Sequence, residues 1–170
     1  ARHQYGCRVF CRLMEHHSSQ DNAGYTGRLF DTVLGDTTAL CFHCYGHHVI
    51  ETALEHGTGD QKHCIAVALR GNPVRLAQSR FGSYVLRKAF SFCQFTDQQA
   101  LANALIIDVE HFVSLLDNQN GCFVVKALLR LPVECLQPAL SLVQGQRQPD
   151  DVPKKAQRLW REFQEYGVRN

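Results

Sequence analysis

Four times along the chain a Gly (Gly6, Gly46, Gly82, Gly121) opens a stretch whose apolar residues fall at matching offsets. The stretches read YGCRVFCRLM, YGHHVIETAL, FGSYVLRKAF and NGCFVVKALL, and their glycines are 40, 36 and 39 residues apart. A period of that size implies stacked supersecondary units in which each unit packs only on its neighbours. The predicted fold is therefore all-α, an α-solenoid, and any side chain held at one register recurs along one continuous face.

Counted from each Gly, offsets +3, +4, +7 and +8 are apolar. They hold Val9, Phe10, Leu13 and Met14; Val49, Ile50, Ala53 and Leu54; Val85, Leu86, Ala89 and Phe90; and Val124, Val125, Leu128 and Leu129. That spacing marks one face of an amphipathic helix, expected to be buried. A shorter helical stretch precedes the later three: Thr38 to Cys44, Val74 to Ser79 and Val109 to Leu116. A third helix follows, as in Asp60 to Leu69, expected to be capped by Asp60 and closed at Gly71, Asn72 and Pro73. Thr96 is expected to cap Asp97 to Ile106, and Asp108 the helix after it. Ser18 to Gly27 reads as a surface loop and Gly145 to Pro153 as a linker. Lys154 to Tyr166 reads as an amphipathic helix, either capping the array or serving as an appendage. The unit boundaries are 1–37, 38–73, 74–107 and 108–145, with linker and last helix at 146–170. The first unit lacks its leading helix, so the chain is expected to be a piece of a longer protein.

Composition narrows the function. A net charge of +2 argues against a partner gripped mainly through its phosphates. No apolar run approaches the ~20 residues of a membrane-spanning helix. The eight Cys lie partly in apolar helical patterns and are expected to be free thiols. Cys41, Cys44, His47 and His48 form C-x₂-C-x₂-H-H, but all four crowd one helix–turn–helix step, so no zinc or other cofactor is expected. Walker, G-x-S-x-G and H-E-x-x-H motifs are missing, so no catalysis is expected.

Offsets +1, +2 and +5 remain outside the apolar face. At +2 stand Arg8, His48, Tyr84 and Phe123, all flat and π-bearing. One such plane per unit is what unstacked bases slot between; packing in the core is the competing reading. Offsets +1 and +5 are helical neighbours and give each helix a polar edge.

Together these residues resemble the Pumilio-type (PUF) RNA-binding repeat family, over about Ala1 to Gln144 and most strongly from Cys44 to Phe92. The resemblance implies three-helix repeats stacked in a right-handed superhelical arc that bind single-stranded RNA, one base per repeat, with the RNA antiparallel to the protein. It places stackers at Arg8, His48, Tyr84 and Phe123. It places edge readers at Cys7 with Cys11, His47 with Glu51, Ser83 with Arg87, and Cys122 with Lys126. Glu51 suits the donors of guanine and Arg87 the acceptors of cytosine. Lys126 and the thiol pair discriminate poorly. The implied partial site is 5′-N-C-G-N-3′. The resemblance also implies mRNA regulation in the cytoplasm, with protein co-regulators. The alternative is a divergent scaffold of the ribosome-biogenesis kind, nuclear or nucleolar, that binds protein or structured nucleic acid.

Overall fold

The computed structural model describes residues 1–16, 25–144, 146 and 153–169. Twelve helices lie among them: α1 (Gly6–Glu15), α2 (Tyr25–Leu34), α3 (Thr37–Cys41), α4 (Gly46–His56), α5 (Gly59–Arg70), α6 (Pro73–Gln78), α7 (Arg80–Phe92), α8 (Phe95–Leu105), α9 (Val109–Asp117), α10 (Gln119–Leu128), α11 (Val133–Val143) and α12 (Lys154–Arg169). No strand occurs among the described residues. The fold is an α-solenoid of stacked three-helix units.

The four signature stretches are α1, α4, α7 and α10, and they pack in that order, each on the next. The third helices form a second row, with α2 on α5, α5 on α8 and α8 on α11. The short helices α3, α6 and α9 lie beside the signature helices they precede. The core runs between the rows, and offsets +3, +4 and +7 of α4, α7 and α10 are all buried. Offset +8 is buried in α4 and α7, while Leu129 is only partly buried.

In α1 the expected face is only half covered: Phe10 and Met14 are buried, but Val9 and Leu13 are 61% and 45% exposed. The reason is position in the row. Among the described residues α1 has a signature-helix neighbour, α4, on one side only.

Several boundaries differ from expectation. Thr58, not Asp60, caps α5: its side chain accepts from the Gln61 N–H while the Gln61 side chain accepts from the Thr58 N–H. This reciprocal capping box satisfies two N–H groups that Asp60 at the cap would leave to water. Gln94 holds the cap position of α8 where Thr96 was expected. Tyr25, Thr26 and Gly27 belong to α2, not to the preceding loop. The rest of that loop up to residue 24, and the linker apart from residues 146 and 153, lie outside the described residues. Asp108 caps α9 as expected, accepting from His111 N–H at 2.8 Å. The helix at the end, α12, packs on α9, α10 and α11. All eight cysteines are described and none is paired.

Candidate nucleic-acid interface

Each signature helix starts against a side-chain acceptor three residues before its Gly. His3 Nδ1 accepts from Gly6 N–H at 3.4 Å and His43 Nδ1 from Gly46 N–H at 3.2 Å. Ser79 Oγ accepts from Gly82 N–H at 2.9 Å and Asn118 Oδ1 from Gly121 N–H at 3.0 Å. The free N–H groups of the helix start are thereby partly satisfied. The device fixes where each helix begins, and so the rotation of offsets +1, +2 and +5. Sequence reading missed it because the acceptor changes from imidazole to hydroxyl to amide; only its constant spacing signals it.

All four +2 residues are exposed along the row. Tyr84 and Phe123 are 42% and 44% exposed, which rules out the core-packing reading for them. Adjacent +2 side chains share grooves. Arg8 and His48 line one between α1 and α4, together with Cys7, Cys11 and Cys44. Tyr84 and Phe123 line one between α7 and α10, together with Ser83, Arg87 and Asn120. Between α4 and α7 the His47 ring spans the gap. It lies 3.9 Å from His48, 6.3 Å from Tyr84 and nearly parallel to Phe81 at 4.6 Å. At the far end Phe123 has the Arg87 guanidinium 5.9 Å and the Lys155 ammonium 5.4 Å from its centroid.

The polar edge is uneven. The +1 residues Cys7, His47, Ser83 and Cys122 are only 3–4% exposed. Each donates to a backbone carbonyl: Cys7 Sγ to Gln4 at 3.3 Å, His47 Nδ1 to His43 at 2.9 Å, Ser83 Oγ to Arg80 at 2.9 Å, and Cys122 Sγ to Leu116 at 2.9 Å. The +5 residues reach further out: Arg87 and Lys126 are exposed, Cys11 and Glu51 half-buried. In the unbound protein most of the free edge chemistry therefore sits at +5. Glu51 Oε2 is 3.5 Å from His48 Nδ1, which ties the +5 side chain to the +2 side chain of the same helix. Cys11 donates to the His48 carbonyl at 3.6 Å, across the α1–α4 step. Burial pushes the Cys11 and Cys122 thiols up, so both stay neutral and bond weakly.

The model of the Pumilio-family RNA binding repeat matches residues 1–20, 38–69 and 74–106, together half of the chain. The chain belongs to the Pumilio family. The match ends before the fourth unit, yet α9, α10 and α11 repeat the arrangement of the second and third, with Gly121 and its Asn118 acceptor in register. Among Pumilio relatives, putative pumilio homolog 21 of Arabidopsis thaliana is 32% identical over 110 residues, which are 65% of this chain and 21% of that protein. The Puf3 RNA binding domain bound to a Cox17 RNA 3′ UTR site superposes with a TM-score of 0.76 at 20% identity, over 99% of this chain and 50% of that one. PUF-8 in complex with PBE-RNA gives 0.74 at 18% identity, over 96% of this chain and 48% of that one. The RNA-binding domain of yeast Puf5p bound to AAT2 RNA gives 0.73 at 14% identity, over 85% and 41%. The chain thus spans about a fifth of the curated relative and at most half of these Puf domains.

Proposed function

We propose that the chain binds single-stranded RNA sequence-selectively, one base per repeat, and serves post-transcriptional regulation of mRNA without catalysing a reaction. The observation that carries this reading is the row Arg8, His48, Tyr84 and Phe123: four flat, exposed side chains, its rungs, at one register on successive signature helices of a Pumilio-family chain. Bases stack between the rungs, and the +5 side chains meet their edges. Glu51 presents acceptors to guanine and Arg87 donors to cytosine, giving 5′-N-C-G-N-3′. The partner RNA is cytoplasmic on this reading.

The buried thiols at Cys7 and Cys122, and the family match that ends at residue 106, favour a competing reading. That reading is a helical scaffold for protein or structured nucleic acid. Fluorescence anisotropy with short labelled RNAs separates the two. The RNA-reading account expects tighter binding when the middle bases are C-G than when they are U-A. It also expects Tyr84→Ala and His48→Ala each to weaken binding by about 1–3 kcal/mol, with helicity unchanged. No base preference and no effect of either alanine supports the scaffold.

A further inference from the structure

One helix of the row carries a side-chain set that the others lack. Outside its apolar face, at offsets +1, +2 and +5, α4 holds His47, His48 and Glu51, and one ligating atom from each lies within 4.8 Å of the others. The His48 Nδ1 to Glu51 Oε2 separation is 3.5 Å. Ligand atoms around a tetrahedral zinc ion, bound at about 2.0–2.1 Å, sit about 3.4 Å apart, so this pair already stands at ligand spacing.

His47 is held as a metal-ligating imidazole usually is. Its Nδ1–H is given to the His43 carbonyl at 2.9 Å, which leaves the lone pair on Nε2. Its ring is clamped by Phe81, 4.6 Å away and 21° from parallel. The mixed imidazole–carboxylate set suits zinc, copper or nickel rather than magnesium or calcium. The set differs from C-x₂-C-x₂-H-H in replacing both thiols with one carboxylate, and all of it lies on one helix.

We propose that His47, His48 and Glu51 form a binding site for a zinc-class divalent ion, with its remaining position open to water, and that ion and RNA base exclude one another at this rung. The exclusion rests on the RNA-reading account, because His48 is the rung and Glu51 the reader there. One group cannot ligate the ion and serve the base at once. The coupling is reciprocal: zinc weakens RNA binding by the factor by which RNA weakens zinc binding.

The test begins without RNA. Co²⁺ is titrated into the reduced full chain and followed by absorption. The expected result is one equivalent bound with d–d bands and no thiolate-to-cobalt charge-transfer band, reversed by Zn²⁺. His48→Ala and the near-isosteric Glu51→Gln each lower the affinity by more than about tenfold. A thiolate band would place the ion on cysteines, of which Cys44 and Cys64 are exposed, and would overturn the proposal. So would undiminished binding by both variants, or no cobalt uptake. In a second arm one equivalent of Zn²⁺ weakens RNA binding by the wild-type chain, and this zinc dependence vanishes in Glu51→Gln. Cobalt uptake with zinc-independent RNA affinity overturns the exclusion. Cobalt uptake by a chain that never binds RNA keeps the ion site and sinks the RNA reading.

Discussion

Three of the glycines that mark the repeats, Gly46, Gly82 and Gly121, are required for close approach rather than for backbone freedom, while a Cβ on Gly6 would meet only the His3 Cβ at 3.3 Å. A Cβ on Gly121 would fall 2.3 Å from the Leu115 carbonyl oxygen and 2.9 Å from its Cα, into the backbone of α9. At Gly27 in α2 a Cβ would meet nothing within 4 Å. Gly121→Ala is therefore expected to destabilise the fold by about 1–3 kcal/mol, while Gly27→Ala is neutral or stabilising by up to about 1 kcal/mol. Urea midpoints followed by circular dichroism check both. His47 adds a pH dependence. Burial pulls its pKa below the ordinary 6.5, so the unfolded chain takes up the proton first on acidification. Its contribution to stability is present above pH 6.5 and is lost as pH falls through the depressed folded value. The urea midpoint is expected to fall on acidification from pH 7.5 to about 5, and less steeply in His47→Gln. At this scale the sequence was only partly legible. The exposed register at +2 could be read because a solvent-facing plane at a fixed offset leaves a mark in residue type. The inward turn of Cys7, His47, Ser83 and Cys122 could not, because a side chain bonding back to a nearby backbone carbonyl is a rotamer choice that spacing does not encode.

At the scale of elements, apolar periodicity located the signature helices because each is wedged between neighbours that need the same stripe. It failed at Val9 and Leu13, where that neighbour is on one side only, and at the caps of α5 and α8, where several polar residues compete for one position. The last helix is tied to the array by buried aromatic side chains. Trp160 and Phe163 are fully buried, with ring centroids 5.4 Å and 4.8 Å from Phe112. Tyr166 donates its hydroxyl to the Leu131 carbonyl at 2.6 Å. Packing on α9, α10 and α11, α12 covers apolar surface of the fourth unit and carries Lys155 to the Phe123 ring. Trp160→Ala is expected to cost about 3–5 kcal/mol in a chemical denaturation. Trp160→Phe is expected to cost less, because the indole Nε1 is buried without a hydrogen-bond partner among the described residues and its removal relieves that penalty. An equal loss in both variants would mean that the indole is held by something other than packing.

For the whole molecule, the stacked rows bring four modest side chains onto one surface, and on the proposed function base identity is set locally by the +5 residue. Ion pairs mute the general charge: Lys88 is paired with Glu55, and Arg12 with Glu15 at 2.7 Å. Phosphate attraction contributes little on this account, and stacking with edge contacts carries the binding. The most direct test exchanges one reader and scores every base. In Arg87→Glu the donor fork at the third repeat becomes an acceptor pair. Anisotropy against RNAs varied singly at each of the four positions is expected to show preference moving from C to G opposite that repeat, with the G opposite Glu51 unchanged. A uniform change across all RNAs, or an unaltered preference at that position, would contradict base-by-base reading along the row.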